Sequence, residues 1–188
     1  MRSLSAKRAL DLAGSLLLLL LLAPVLATAY AAVALTSPGG AFLRQPRAGL
    51  RGEPFLMLRF RADPRTDPVG RLLRRLSLDG LPQLINVVRG EMSLVGPRPL
   101  PVQDSGRTSP THGRLAVLPG MTGLWQVSSR SELPWDEMVL LDLEYVDTHC
   151  LAVDLGILAR TVPAVLTAHR ARPAVEGARA QAVQGSGA

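Results

Sequence analysis

Ser77-Leu78-Asp79-Gly80-Leu81-Pro82-Gln83-Leu84-Ile85-Asn86-Val87-Val88-Arg89-Gly90-Glu91-Met92-Ser93-Leu94-Val95-Gly96-Pro97-Arg98-Pro99 puts one carboxylate ahead of a short helix and a rigid cationic loop behind it. Leu81, Leu84, Ile85 and Val88 recur at the spacing of one helical face. Pro82 suits the first turn, where its missing N–H costs nothing, and Gly90 suits the residue just past the end. Asp79 is therefore expected at or near a helix N-terminus, where unpaired N–H groups and the dipole favour anions. Arg98 follows in Gly96-Pro97-Arg98-Pro99. The pattern brings a carboxylate and a phosphate-seeking guanidinium into one short segment.

Downstream, residues 101–113 read as a polar loop. Leu118-Pro119-Gly120-Met121-Thr122-Gly123-Leu124-Trp125-Gln126-Val127-Ser128-Ser129-Arg130 follows. Two glycines around Thr122 let backbone N–H groups approach an anion, and Arg130 can bind phosphate bidentately. A helix over 135–146 carries Asp136, Glu137, Asp142 and Glu144, which read by default as a solvated face. Leu151 to Leu166 reads as an amphipathic helix kinked or ended at Pro163, suited to the head-group plane. The Ala-, Gly- and Gln-rich residues 171–188 have no period and read as a disordered tail.

Upstream, Gly49 and Gly52 punctuate a hairpin whose second strand alternates Leu56, Leu58 and Phe60 with Met57, Arg59 and Arg61. The arginines from Arg44 to Arg75 either face anionic lipid or, at Arg59 and Arg61, hold a diphosphate. Leu12 to Leu35 carries no charge. It reads as a cleaved signal peptide, a spanning helix, or a re-entrant hairpin bent at Ala23-Pro24. Basic residues flank it on both sides (Arg2, Lys7 and Arg8 before, Arg44 and Arg47 after), which disfavours crossing.

The net charge is +6, and Lys7 is the only lysine among 21 basic residues. Such an excess suits nucleic acid, anionic lipid or phosphorylated substrates alike. Cys150 is the sole cysteine, which excludes an internal disulfide and reads as a small packed residue.

The segment from Leu78 to Pro99 resembles the catalytic core of the monotopic phosphoglycosyl transferases, the bacterial sugar transferase family. The blocks around Phe42 to Arg61, Pro119 to Arg130 and Asp136 to Tyr145 resemble it as well. The resemblance spans about residues 7 to 167. It implies an α+β, mostly helical fold: a re-entrant membrane anchor over 1–36, and a catalytic domain over 37–170 built from a short hairpin and interfacial helices. The implied place is the bacterial inner membrane, with the catalytic domain on the cytoplasmic face.

The implied reaction moves a sugar-1-phosphate from a UDP-sugar to polyprenol (undecaprenyl) phosphate, with release of UMP. Asp79 is the implied nucleophile and a possible ligand of Mg²⁺. Arg59, Arg61, Arg98, Thr122, Gly123 and Arg130 are implied phosphate binders. Gln83, Asn86, Pro97, Gln126, Asp136, Asp142 and Tyr145 form the implied supporting set. The implied partners are UDP-sugar, polyprenol phosphate, membrane lipid, downstream glycosyltransferases and a second copy of the chain, with no nucleic acid. The family carries an Asp-Glu pair where this chain has Asp79-Gly80. The alternative is therefore an impaired relative that binds lipid phosphate or a partner enzyme.

Overall fold

The structure is a computed structural model that describes residues 2–37, 39–61, 67–104, 112–128 and 134–167. Arg130 and the expected tail over 171–188 lie outside these residues, as does most of the expected loop over 101–113. Among the described residues the chain is mostly helical, with two small sheets.

The N-terminal segment forms α1 (Arg2–Leu21) and α2 (Ala23–Thr36), broken at Leu22. Pro24 sits in the first turn of α2, where its ring is accommodated, and the two helices diverge by 66°. No single described helix is long and apolar enough to cross a membrane. The bent pair together meets that length and composition. The apolar side chains Leu16, Leu17, Leu20, Leu21 and Leu35 are exposed on it.

The hairpin is present. Strand β1 (Phe42–Ala48) pairs antiparallel with β2 (Pro54–Phe60), with Arg59 opposite Leu43 and Met57 opposite Gln45. Its connection turns at Arg51 and Gly52, both at positive φ. The alternation expected in β2 is only partly realised, since Met57 and Leu58 are both buried. Both faces of the strand are covered. Met57 joins a core with Leu84, Val87, Met92, Val95, Tyr145 and Ile157, whereas Phe60 joins a second one with Ala29, Val33, Ala41 and Leu73. The hairpin thus separates the main core from the packing of α2 against α3 (Pro68–Arg75), whose first turn is capped by the Asp67 carboxylate accepting from the Val69 N–H.

The helix expected after Asp79 is α4 (Gln83–Arg89), closed by Gly90 at φ 85°. Its buried positions are Leu84, Asn86 and Val87 rather than the full apolar stripe, because a polar side chain takes part in docking it. The Asn86 amide accepts from the Leu58 N–H (3.0 Å) and donates to the Leu56 C=O (2.8 Å), continuing β2 as a neighbouring strand would. The same Nδ2 also donates to Glu91. Beyond α4, β3 (Ser93–Val95) pairs parallel with β5 (Gly120–Thr122), and β4 (Leu100–Pro101) extends the hairpin sheet beside β1.

Helix α5 (Leu124–Val127) leads to α6 (Trp135–Thr148) and α7 (Leu151–Thr167). Pro163 does not end α7, which continues to Thr167. Cys150 corrects its reading as a packed residue. It is exposed at the α6–α7 break, where its C=O accepts from the Asp154 N–H.

Charged residues at the base of α1 enter the domain. The Arg8 guanidinium donates to the last carbonyls of α4, Val87 (2.7 Å) and Val88 (2.8 Å). Asp11, buried, accepts from the Ser93 hydroxyl and the Leu94 N–H, both at 2.9 Å. Lys7 pairs with the buried Asp154 at 2.7 Å. A cleaved leader ending at residues 27–29 would strip these partners from groups that are themselves buried. The physics therefore favours retention of the segment.

Asn86→Ala leaves the Leu58 N–H and Leu56 C=O without their partner. Its expected cost is about 2–4 kcal/mol of unfolding free energy. Denaturant titration of the detergent-solubilised protein measures it, and a loss under about 0.5 kcal/mol would contradict the docking role.

Candidate active site

Asp79 sits in a 3-10 turn, Leu78–Gly80, that bridges the end of α3 and the start of α4. Ser77 enters that turn at φ 56°, a left-handed conformation that redirects the chain after α3. The carboxylate is therefore close to the α4 N-terminus but fixed by a different interaction. Oδ2 of Asp79 forms an ion pair with Arg59 Nη2 from β2. Asp79 is buried and Arg59 is partly exposed, so the pair lies at the domain surface with the carboxylate on the inner side.

The distance between these two residues depends on Asn86. Arg59 follows the strand residue whose N–H Asn86 binds, and Asp79 precedes the helix that carries Asn86. Gly80 and Gln83 lie next to the nucleophile candidate. A Cβ built on Gly80 would meet only the Gln83 amide nitrogen, at 3.3 Å. That neighbour is the end of a flexible side chain, so a Cβ at this position needs only a small shift of Gln83.

Arg61 is placed elsewhere. Its Nε donates to the Gly40 C=O at 3.1 Å, so it braces the turn after α2. Arg98 is exposed, with its guanidinium 5.6 Å from the Trp125 ring centre. Pro97, Gly123 and Thr122 belong to a tight backbone crossing. The Gly120 N–H donates to the Pro97 C=O (2.8 Å) and the Gly96 N–H to the Thr122 C=O (2.9 Å). Cβ atoms at Gly96, Gly120 and Gly123 would come within 2.5, 2.0 and 2.4 Å of facing backbone atoms. These glycines are needed for chain packing, and the Gly120 N–H already has its acceptor. The Thr122 hydroxyl meets that of Thr161 at 2.9 Å, which ties the same crossing to α7. Gln126 donates to the Met121 C=O, and its Oε1 is buried with no partner among the described residues.

Asp136 is exposed at the start of α6, as a solvated face requires. Asp142 and Tyr145, one turn apart on the same helix, are both buried. The Tyr145 hydroxyl has one proton, and its shortest contact is with Asp154 Oδ1 at 2.6 Å. Lys7 then supplies the Val95 C=O (3.1 Å) and the lone pairs of the Tyr145 hydroxyl (3.2 Å). Burial, with the Asp154 carboxylate alongside, raises the Tyr145 pKa, so the phenol stays a donor.

Asp142 is ion-paired with Arg114, itself buried in the 3-10 segment His112–Ala116. Burial pushes the Asp142 pKa from 3.8 up to about 6. The charge of Arg114 and the polar backbone of Arg98 nearby offset that only in part. Because the folded value is raised, the stability from this group is fully present below the ordinary value and is lost as pH rises through about 6.

Arg114, Lys7 and Asp154 carry polar roles that motif reading did not assign. The available signal for Arg114 was a lone guanidinium ahead of the apolar run Leu115 to Leu118. Among the described residues no group of three or more His, Cys, Asp or Glu side chains is arranged to hold a metal. Among the described residues, Asp79 is the carboxylate paired with Arg59.

The bacterial sugar transferase family model matches residues 2–168. The chain belongs to the bacterial sugar transferase family. It is 41% identical to a UDP-glucose:undecaprenyl-phosphate glucose-1-phosphate transferase of Caulobacter vibrioides, over 88% of this chain and 71% of that protein. It is 36% identical to the exopolysaccharide production protein ExoY of Rhizobium meliloti, over 85% of each. An undecaprenyl-phosphate glucose phosphotransferase of Komagataeibacter xylinus is 40% identical over 83% of this chain and 35% of its own length. This bacterial sugar transferase is accordingly a sugar phosphotransferase enzyme. The family match includes the bent helices, the Asp79–Arg59 pair and the glycine crossing in one unit.

The glycine positions of this transferase divide by their surroundings. Gly80→Ala is expected to change unfolding free energy by less than about 1 kcal/mol, whereas Gly120→Ala should cost more than about 3 kcal/mol or prevent folding. Parallel thermal melts of the two variants check the contrast, and equal losses would contradict it.

Proposed function

We propose that this transferase moves a sugar-1-phosphate from a UDP-sugar to undecaprenyl phosphate through a phosphosugar held on Asp79. The observation that carries the reading is the Asp79–Arg59 pair, set in the motif of a family with curated undecaprenyl-phosphate sugar phosphotransferases. An oxygen of the Asp79 carboxylate attacks the phosphorus next to the sugar. The bond from that phosphorus to the oxygen bridging it to UMP breaks, and UMP leaves with that oxygen. A phosphate oxygen of the polyprenol then attacks the same phosphorus, restoring the carboxylate and giving a polyprenyl diphosphate sugar.

Arg59 orients the carboxylate before the donor arrives, and its second guanidinium edge suits a phosphate oxygen. Arg98 is exposed in its rigid loop and takes a further donor phosphate in this reading. Mg²⁺ fits as an ion carried largely by the diphosphate, since such sites use one or two carboxylates plus substrate phosphates and Asp79 supplies one. When bound it would neutralise charge on the transferring and leaving groups.

The bent α1–α2 pair supports a re-entrant anchor that leaves both ends on the cytoplasmic face. There a soluble donor meets a lipid acceptor. Pro24→Leu is expected to permit a straighter span and to expose an N-terminal tag to the periplasm, whereas the parent tag stays inaccessible to a membrane-impermeant label. Labelling of the parent N-terminus would reject the hairpin.

Gly80 favours a second reading, an impaired enzyme that retains lipid-phosphate or partner binding. The two readings separate on variants assayed for UMP release and for a phosphosugar adduct by intact mass. Asp79→Asn should reduce release to background and abolish the adduct. Gly80→Glu should raise turnover by about 10- to 100-fold, the scale of a supporting metal-site group. An adduct seen only after Gly80→Glu would support the impaired reading. Undiminished release from Asp79→Asn would show that the chemistry lies elsewhere.

A further inference from the structure

The Arg98 loop is held through its backbone. The Pro97 C=O accepts from Gly120, the Arg98 C=O from Arg114 Nη2 at 3.2 Å, and the Pro99 C=O from Arg47 Nη1 at 3.5 Å. The prolines on either side fix their own φ angles. Asp142, the partner of Arg114, lies beside the Arg98 backbone. One guanidinium nitrogen, Nη2, thus binds the Arg98 carbonyl and the Asp142 carboxylate together.

Arg114 and Asp142 are both almost fully removed from solvent. A buried ion pair is poor value for stability alone, since desolvation offsets much of the attraction. Its worth here is directional: Asp142 fixes the Arg114 guanidinium, and that guanidinium fixes the orientation of the Arg98 carbonyl. What projects from it is the exposed Arg98 side chain, its guanidinium over the Trp125 ring.

We propose that Arg114 and Asp142 are positioning residues, Arg114 holding the Arg98 carbonyl and Asp142 holding Arg114, that together aim the Arg98 guanidinium at a phosphate of the nucleotide-sugar donor. The inference rests on the donor-phosphate role given to Arg98 under the proposed function. The pair acts only through Arg98, so its loss should weaken donor binding more than it slows turnover. Arg114 and Arg98 are the charged groups facing Asp142. Protonation of Asp142 below about pH 6 removes the charge that holds Arg114 in place.

The test uses the full chain in detergent, with UMP release followed against donor concentration at saturating polyprenol phosphate. Arg98→Ala should raise donor KM about tenfold, the scale of one charge-assisted hydrogen bond. Asp142→Asn and Arg114→Lys should each raise KM by about three- to tenfold, with a smaller effect on kcat. Combined with Arg98→Ala, neither should add to the loss. In the parent enzyme donor KM should climb as pH falls through about 6, and in Arg98→Ala that climb should vanish. Should Asp142→Asn fail to fold, Arg114→Lys and the parent pH profile carry the test.

If Arg98→Ala raises KM while the partner variants leave it unchanged or multiply with it, the positioning role is overturned and Arg98 keeps its phosphate. If Arg98→Ala leaves donor KM unchanged, Arg98 does not bind the donor and both statements fall.

Discussion

Lys7 carries a positive charge at the foot of α1, below its charge-free run of leucines, and its partner Asp154 is buried in α7. Neither group is stable alone in that position, since an unpaired buried carboxylate costs several kcal/mol. Together they fasten α1 to α7. Tyr145 from α6 and the Val95 carbonyl from β3 complete the same cluster. One turn further along, Asp11 satisfies Ser93 and Leu94, and Arg8 caps α4. The apolar helices are thus continuous, through hydrogen bonds, with the strand that leads into Gly96-Pro97-Arg98-Pro99. The bent helices and the described residues that follow them are one folding unit, and detaching the first would leave the second with orphaned polar groups.

A second constraint follows from the small size of the sheets. Three strands at β2-β1-β4 and two at β3-β5 offer few backbone ladders to locate a site. The chain substitutes other devices for strands. Asn86 pairs with the edge of β2 from a helix, and glycines at 96, 120 and 123 bring two backbone segments closer than any side chain would allow. Each device sets one element of the site: Asn86 sets Asp79 against Arg59, and the glycine crossing sets the arginine loop.

Much of this was legible in the sequence. The apolar period after Asp79, the proline before the helix and the glycine after it located α4, and Gly49 with Gly52 located the hairpin turn. Charge-free leucines broken by Pro24 located the bent helices. What pattern reading missed has one physical cause. Periodicity reports which residues are apolar, whereas the fixing contacts here are polar groups inside apolar surroundings. Asn86, Asp11, Asp154, Asp142 and Arg114 look like surface residues by type and are buried in fact. The glycine spacing of the second block suits an anion cradle, whereas the backbone crossing uses those glycines for close packing. Arg61 was grouped with Arg59 by spacing, but it emerges beyond the end of β2, where the turn at Gly40 is its nearest acceptor.

The Asp79–Arg59 pair also gives Gly80 a physical meaning. A carboxylate pair in a phosphate site carries net negative charge and repels the donor diphosphate until a metal intervenes. A lone Asp79 beside Arg59 is close to neutral, so the donor meets little repulsion from the protein. That gain has an opposing side. The guanidinium that neutralises Asp79 also occupies the carboxylate oxygen it binds, and an ion-paired oxygen is a weaker nucleophile. The conflict is relieved if Arg59 transfers its hydrogen bonds to the incoming phosphate as that phosphate approaches Asp79. Its side chain is partly exposed and rooted in a strand fixed by Asn86, which permits a short swing without moving the backbone. On the proposed mechanism, the substitution at Gly80 shifts the burden of charge neutralisation from a protein-bound metal towards the arginine and the ion carried by the donor.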